Sequence, residues 1–396
     1  MHKFNLDTIQ KNLQKLNLDG WLMYDFRGSN DAVLEILDIP KTSHLTRRFF
    51  YFIPNNGNPI KIVNEIEAGH LNHLPGEKFT YSSFDSLNKH LNKITGMAKK
   101  VAMEYSPNNN IPYISKVDGG TIEYLKSLGF EIKSSGDLIS KFAAVWSHEQ
   151  FEENRPVAAA LTEIVKDAFD FISERLTEDK STNEYEVQQF IMKSFNEHGF
   201  VTDFPPIVGV DANSANPHYA PTEDTHSKIT RGCLVLIDLW AKQDKDDAVW
   251  SDITWTGYTE HHIPEKHARV FDVVAEARDT AFNLAESRFK EGKEIRGFEV
   301  DDAARSVIEK AGYGKYFFHR TGHSITTEIH GSGANMDNYE THDERLILPS
   351  TSFSIEPGIY LEDFGIRSEI DVYISPEGKV MITGQEIQKE VFPIFR

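Results

Sequence analysis

Two acidic residues lie inside strand-like stretches that are otherwise rich in Ile, Val and Tyr. In SIEPGIYLEDFGIRSEIDVYI, Glu356 and Glu369 are symmetric about the turn at Glu362–Asp363. In the simplest hairpin register these glutamates lie opposite each other on one face of the sheet. Buried carboxylates need a partner, and like charges directly opposite each other destabilise a sheet. The pair therefore predicts either a basic partner or a bound cation.

A second hairpin repeats this arrangement earlier in the chain. In IDLWAKQDKDDAVWSDIT, Asp238 and Asp252 are symmetric about Lys245, so we expect them to face each other. The spacing matches as well, with 118 positions from Asp238 to Glu356 and 117 from Asp252 to Glu369. One such acid alone would more simply face solvent or pair with a base such as Arg367. Four converging carboxylates instead favour hard divalent ions with oxygen ligands.

Three histidines stand just upstream of the glutamate hairpin. His319, His323 and His330 all lie in HRTGHSITTEIH, a segment that we predict to be a strand. A lone histidine in a strand is more often a hydrogen-bonded core residue than a ligand. Because histidine is also a common metal ligand and three occur together, we treat them as candidates.

The elements that must position these residues change character near Trp146. Before it, helix and strand patterns alternate, and RRFFYFIP and PIKIVN flank the turn NNGN as a predicted hairpin. After it, the order is helix, helix, hairpin, helix, helix, strands, hairpin, which indicates a structural duplication. Helices are predicted at Leu6–Leu16, Thr121–Leu128, Pro156–Leu176, Ser181–His198, Pro264–Glu291 and Glu299–Ala311. We therefore expect an α/β domain over 1–146 and an α+β domain with duplicated halves over 147–396.

Composition excludes several classes of function. A formal net charge of −19, from 61 acidic and 42 basic residues, opposes nucleic-acid binding. The single cysteine, Cys233, excludes an internal disulfide framework and a four-cysteine zinc site. No signal peptide is visible, and the most apolar short run, CLVLIDLWA, falls far short of the ~20 residues that span a bilayer. We expect a cytoplasmic protein without a nucleic-acid or membrane partner.

The motifs around these residues resemble those of the creatinase and Xaa-Pro peptidase family, the pita-bread metallopeptidases that include prolidase and aminopeptidase P. The resemblance covers essentially the whole chain, including a creatinase-type N-terminal domain. The family's metal ligands come in the order Asp, Asp, His, Glu, Glu, and LVLIDLW, SDITWT, GHSIT, IEPGIY and GIRSEID match them in that order. The resemblance implies metal ligation by Asp238, Asp252, His323, Glu356 and Glu369.

The resemblance also implies a mechanism. Two divalent ions bridged by Asp252 and Glu369 would form a bridging hydroxide that attacks the peptide carbonyl, with Glu356 shuttling the proton. Manganese is the expected metal, although cobalt, zinc and iron accept similar ligands. His218, in PHYAPT, and His330 would line the substrate site and stabilise the tetrahedral species.

The implied reaction is hydrolysis of Xaa-Pro bonds in short peptides, with Arg367 also expected to contact the substrate. The choice between dipeptidase and aminopeptidase stays open. Two alternatives also stay open: an enzyme of the same fold acting on a non-peptide small molecule, such as a creatinase-like hydrolase or a lyase, and a non-catalytic binding protein. We further expect a homodimer.

The chain departs from the family pattern around the site. Leu239 and Trp240 replace a small residue and glycine, Ser324 and Thr326 stand where glycines are common, and Trp255 replaces an arginine. Alternation along the strand places Trp240 on the face of the first aspartate and Trp255 on the face away from the second. We therefore expect Trp240 to line the substrate site, where an aromatic ring packs well against proline, and Trp255 to be structural.

Overall fold

The computed structural model describes residues 4–40 and 42–395. These residues fall into two units, which divide between Ala143 and Ala144. Over the described ranges, no helix combines the length and apolar character needed to cross a membrane.

The first unit is built on a six-stranded sheet of order β4-β3-β2-β1-β5-β6. Strand β2 runs antiparallel to both of its neighbours, and the other pairings are parallel. The strands are β1 (Gly20–Asp25), β2 (Phe49–Pro54), β3 (Ile60–Asn64), β4 (Glu77–Tyr81), β5 (Lys100–Met103) and β6 (Glu131–Ser134). The helices are α1 (Leu6–Lys15), α2 (Asp31–Ile36), α3 (Phe84–Thr95), α4 (Gly119–Ser127) and α5 (Gly136–Ala143).

Helices cover both faces of this sheet. Along β1, Trp21 and Met23 pack in a core with α1, α2 and α5, whereas Leu22 and Tyr24 pack in a core with α3 and α4. All six residues of β1 are therefore buried, as is typical of a central strand in an α/β sheet. The predicted α/β character of this part of the chain is confirmed.

The second unit repeats one motif, a pair of helices followed by a hairpin. Its helices are α6 (His148–Thr177), α7 (Glu184–His198), α8 (Glu265–Lys290) and α9 (Gly297–Lys310). The strands of the first half are β7 (Thr182–Asn183), β8 (Phe200–Val201), β9 (Ile207–Val210), β10 (Lys228–Ile229), β11 (Leu234–Gln243) and β12 (Ser251–Tyr258). Those that follow are β13 (Ser324–Ile325), β14 (Ser352–Ile355), β15 (Gly358–Tyr360), β16 (Gly365–Arg367), β17 (Ile370–Ile374), β18 (Val380–Ile382) and β19 (Phe392–Pro393).

Each half of the second unit buries one face of its sheet against its own helices. Leu239 and Trp255 of the β11–β12 hairpin pack in a core with α6 and α7. Phe353 and Val372 of the β14–β17 pair pack in a core with α8 and α9. Because strand side chains alternate, the acidic residues fall on the opposite face of each sheet. The two acidic faces meet, since the backbone N–H of Glu369 donates to the carbonyl of Thr254 (3.3 Å).

Two predictions are wrong, one of a helix boundary and one of an element type. Helix α6 begins at His148 and not at Pro156, because the Ser147 hydroxyl and the Gln150 side chain form a capping box that starts the helix two turns earlier. The segment HRTGHSITTEIH is mostly loop, with only Ser324–Ile325 in a strand. Backbone hydrogen bonds to Met336 in a neighbouring loop and to Ser354 and Glu356 at β14 hold Thr321–His323.

Candidate active site

The β11–β12 hairpin brings its two aspartates onto one face, although not directly opposite each other. Asp238 pairs with Thr254, and Asp252 pairs with Trp240. The hairpin is centred one position later than its symmetry about Lys245 predicted. Because strand side chains alternate, this one-position shift turns a directly opposed pair into diagonal neighbours on the same face. That correction leaves both carboxylates pointing toward the second sheet.

The glutamate hairpin has the register predicted from its turn. Ile355 pairs with Ile370 on one side and Gly358 pairs with Arg367 on the other. The two ladders share one register, so continuing either one places Glu356 opposite Glu369. The Thr254 hydroxyl donates to Oε2 of Glu369 (2.8 Å), which links this pair to the aspartate hairpin.

His323 enters the same space from the loop before β13. Its backbone N–H donates to the Ser354 hydroxyl (3.0 Å), and the Ser354 N–H donates back to the His323 carbonyl (2.9 Å). On the ring, Nδ1 donates to the carbonyl oxygen of Ser324 (3.3 Å). Since a carbonyl can only accept, Nε2 presents a lone pair, at 3.7 Å from Oδ2 of Asp252 and 3.5 Å from Oε1 of Glu356.

The fit to a metal ion can be judged from three of these groups. Asp252, His323 and Glu369 each offer a ligand atom, and the three atoms lie within 4.8 Å of one another. Oδ1 of Asp252 is buried without a hydrogen-bond partner among the described residues. An unpartnered carboxylate oxygen and an imidazole lone pair aimed at carboxylates are unfavourable unless a cation lies between them. The residues therefore fit a divalent metal ion.

Arg367 neutralises part of this acidic cluster. Its Nη2 forms a short ion pair with Oδ2 of Asp238, and its Nε donates to the Thr254 hydroxyl (2.9 Å). Its Nε also lies 3.9 Å from Oε2 of Glu356. One guanidinium cannot balance four carboxylates, so an excess of negative charge is left for cations to offset.

The pKa values of the acids reflect this excess. Burial, followed by the charges of neighbouring carboxylates, raises the pKa of Asp252 and of Glu369 well above their usual values. Burial also raises the pKa of Asp238, which the Arg367 charge opposes, and raises the pKa of Glu356 to about 7. Bound cations would reverse these shifts by favouring the ionised carboxylates.

Two further candidate histidines, His330 and His218, are exposed, and His330 touches the cluster. The His330 ring packs edge-on against the His323 ring, with 4.4 Å between centroids. Solvent reaches His330, yet the protein packed around its ring lowers its pKa to about 4. His218 is exposed, and its charge helps to lower the His330 pKa. Both rings are reachable by a substrate, in contrast to the buried His323.

His319, the remaining histidine candidate, is not available as a ligand. Its Nδ1 donates to the carbonyl of Arg320 (2.6 Å), and its Nε2 accepts from the Tyr360 hydroxyl (2.7 Å). The same hydroxyl accepts from Nη1 of Arg367 (3.2 Å). His319 therefore supports the arginine through Tyr360.

Comparison with known proteins identifies the family. The family model of metallopeptidase family M24 matches residues 157–376, which contain all five of the predicted ligands. The chain belongs to this family. The M24 assignment makes it a metal-dependent peptidase and confirms the pita-bread fold that the motifs predicted.

Individual M24 relatives extend the match beyond the catalytic motifs. The chain is 28% identical over 341 residues to an Xaa-Pro dipeptidase of Pyrococcus furiosus, covering 85% of this chain and 87% of that protein. It is 32% identical over 231 residues to an Xaa-Pro dipeptidase of Lactobacillus helveticus, covering 58% and 57% of the two chains. A prolidase structure from Thermococcus sibiricus has the same fold, with a TM-score of 0.60, 24% identity and 99% coverage of both chains.

The two tryptophans of this M24 chain occupy different environments. Trp240 is half-buried on the aspartate face, and its Nε1 donates to Oδ1 of Asp203 (2.6 Å). Trp255 is buried on the helix-covered face against Phe392, with 6.1 Å between ring centroids. The faces agree with the alternation that the sequence predicted.

Sequence reasoning missed one acidic residue of the site. Asp371 is fully buried two positions after Glu369, and its Oδ2 accepts from the backbone N–H of Asp252 (2.8 Å). Burial raises its pKa well above the usual value. The signal was present in GIRSEIDV, where a second acid shares the face of Glu369 by alternation.

Proposed function

We propose that this M24 metallopeptidase hydrolyses Xaa-Pro bonds of short peptides at a centre of two divalent ions. The residues that would hold the ions are Asp238, Asp252, His323, Glu356 and Glu369. The main observation behind this proposal is that ligand atoms of Asp252, His323 and Glu369 lie within 4.8 Å of one another. The Xaa-Pro specificity is supported by the names of the relatives from Pyrococcus furiosus and Lactobacillus helveticus.

The side chains of the chain itself would perform the remaining tasks. When bound, divalent ions lower the pKa of water and polarise a peptide carbonyl. Glu356, at the edge of the cluster, would take the proton and deliver it to the leaving nitrogen. A peptide nitrogen leaves as an amine only once it is protonated, so this delivery is required for release of the proline. His330 and His218 would donate hydrogen bonds to the developing oxyanion.

Arg367 and Trp240 complete the proposed substrate site. Arg367 is buried and paired with Asp238, so its charge favours the ionised form of that carboxylate. Its contact with the substrate is proposed from the family resemblance. Trp240 would present an aromatic wall to the proline ring.

An assay of the metal-loaded chain with Ala-Pro, Ala-Pro-Ala and Ala-Ala-Ala tests this function. Cleavage of Ala-Pro alone identifies a dipeptidase, and cleavage of Ala-Pro-Ala identifies an aminopeptidase. Failure to cleave either peptide, or equal cleavage of Ala-Ala-Ala, would contradict the proposed specificity.

Four finer features belong to the same proposal. The oxygen-rich ligand set supports manganese, and activity restored by each metal in turn to the chelated enzyme tests it. We propose that residues 1–146 form the creatinase-type domain and 147–396 the catalytic domain, a boundary close to the division at Ala143 and Ala144. A homodimer and a cytoplasmic location are also proposed, to be checked by light scattering and by cell fractionation.

A further inference from the structure

The first unit contains an open cleft of about 950 Å³ at one end of its sheet. Its walls come from the carboxyl ends of β1, β3 and β4, from residues just after β1 and β4, and from those that precede the antiparallel strand β2. Residues between β5 and β6 complete them. Strands β1, β3, β4 and β5 point their carboxyl ends toward this edge. In α/β sheets, ligands bind beyond the carboxyl ends of the strands, where neighbouring connections leave in opposite directions. The parallel neighbours β1 and β5 meet that condition, since the chain continues from β1 to β2 on one side and from β5 to β6 on the other.

The cleft is cationic in a chain of formal net charge −19. Arg27, Arg47, Arg48 and Lys116 line it, against the single carboxylate of Asp118. Asp118 accepts hydrogen bonds from Thr121 as the cap of α4, and among the described residues it forms no ion pair with these cations. A concentration of positive charge in an acidic protein favours an anionic ligand.

Among residues 4–40 and 42–395, three of the four cations, all but Lys116, have no carboxylate partner. Lys116 pairs with Asp31 (3.0 Å), and Nη1 of Arg47 donates to the Thr46 hydroxyl (3.0 Å). Within residues 4–40 and 42–395, neither Arg27 nor Arg48 forms an ion pair. Two unpaired guanidiniums in one cleft match a doubly charged phosphate, which arginine binds through paired N–H donors.

Aromatic side chains form the apolar part of the same cleft. Tyr24 and Tyr81 are buried in the core beneath it, whereas Phe26 and Phe84 are 42% and 56% exposed. Exposed phenylalanines beside arginines offer flat surfaces on which a planar ring can stack. The Ser83 cap also places the positive end of the α3 dipole at the rim.

We propose that this cleft binds a small phosphate monoester that carries a planar ring. Arg27 and Arg48 would hold the phosphate, and Phe26 and Phe84 would contact the ring. The site shares no residue with the carboxylate and histidine cluster, so the proposal does not depend on the proposed peptidase function.

Isothermal titration of the full chain with adenosine 5′-monophosphate tests the proposal, with inorganic phosphate and adenosine as separate probes. We expect the monophosphate to bind with a Kd below about 1 mM, about tenfold tighter than inorganic phosphate, and adenosine to bind more weakly still. No binding of the monophosphate at that concentration would overturn the site. Equal affinity for the monophosphate and inorganic phosphate would overturn the role of the ring, and equal affinity for adenosine would overturn the role of the phosphate.

Three variants test whether the monophosphate binds in this cleft. The double variant Arg27→Gln/Arg48→Gln should weaken monophosphate binding at least about tenfold. Folding should survive this change, because the variant keeps the backbone carbonyl of Arg48 to which the Tyr81 hydroxyl donates, and no ion pair of the described residues is lost. Lys11→Gln removes a positive charge from α1, outside the cleft, and should bind as the wild type does. Unchanged affinity in the double variant, or equal loss in Lys11→Gln, would contradict the proposal.

Asp252→Ala serves as the control for the other candidate site. It alters the acidic cluster and should leave monophosphate binding unchanged. Loss of binding in Asp252→Ala would place the ligand at that cluster and overturn the cleft assignment.

Discussion

The unpartnered Oδ1 of Asp252 and the proton-free Nε2 of His323 point into one small space. A buried polar atom without a partner costs about 1–3 kcal/mol, so evolution retains such an atom chiefly where something else supplies the missing interaction. Asp371 fixes the backbone of Asp252, and Ser354 fixes that of His323. These hydrogen bonds hold the groups in place before any ion arrives, which is the arrangement expected of a preorganised metal site.

His330 and His323 should separate substrate chemistry from metal binding. His330→Ala should keep its metal and lose about 10²–10³-fold in kcat, because the ring is exposed and lies outside the ligand group. His323→Ala should lose metal and activity together. Elemental analysis beside steady-state kinetics distinguishes the two, and metal loss in His330→Ala with metal kept in His323→Ala would show that the roles are exchanged.

Trp240 and Trp255 should separate specificity from stability. Trp240→Gly should change the ratio of kcat/KM for Ala-Pro and Ala-Ala about tenfold while metal affinity stays the same. Trp255→Ala should lower the free energy of unfolding by about 3 kcal/mol or more, because its ring fills the helix-covered core, with the substrate preference unchanged. Identical kinetic profiles for wild type and Trp240→Gly across Xaa-Pro and other dipeptides would rule out the proposed aromatic wall.

The helices, strands and loops that carry strong local sequence signals were predicted more accurately than those that do not. The glutamate hairpin has a short turn, so its symmetry about Glu362–Asp363 placed Glu356 opposite Glu369 correctly. The aspartate hairpin has the long polar loop KQDKDD without a turn-specific pair, so its centre was misplaced by one residue. The loop that carries His323 is held by long-range bonds to Ser354 and Met336, which no local pattern announces.

Gly322 shows how closely that loop packs. A Cβ at this position would lie 2.0 Å from the carbonyl oxygen of Ser354, a backbone atom that cannot move aside alone. Gly322→Ala should therefore displace His323, reduce the metal content and lower stability by about 1–3 kcal/mol. Gly119→Ala is the control, since its Cβ would meet no atom within 4 Å. Equal metal content in Gly322→Ala and wild type would show that the loop tolerates the shift.

Each of the two units of the molecule has its own hydrophobic cores, so each contributes separately to the free energy of unfolding. Glu104 is fully buried in the first unit, where its carboxyl accepts from Trp21 Nε1 (2.7 Å), Asn30 Nδ2 (2.9 Å) and the Ser135 hydroxyl (3.2 Å). Burial raises its pKa to about 7, and these hydrogen bonds oppose the shift.

Glu104 should make the stability of the first unit depend on pH. Because its folded pKa lies above its unfolded value of 4.5, its contribution is complete below pH 4.5 and is lost as pH rises to about 7. The loss amounts to about 3 kcal/mol. Chemical denaturation at pH 5 and pH 8 should show Glu104→Gln gaining stability relative to wild type at the higher pH. The exposed Glu131→Gln should show no such gain, and parallel pH curves for wild type and Glu104→Gln would contradict the prediction.

The metal content of the full chain tests the central claim most directly. Inductively coupled plasma mass spectrometry should find two divalent ions per chain in the wild type. Asp252→Ala and Glu369→Ala, which each remove a proposed ligand, should hold fewer than two and should not cleave Ala-Pro. Two ions per chain in both variants would contradict the assignment of these ligands, and no bound metal in the active wild type would contradict the metal centre itself.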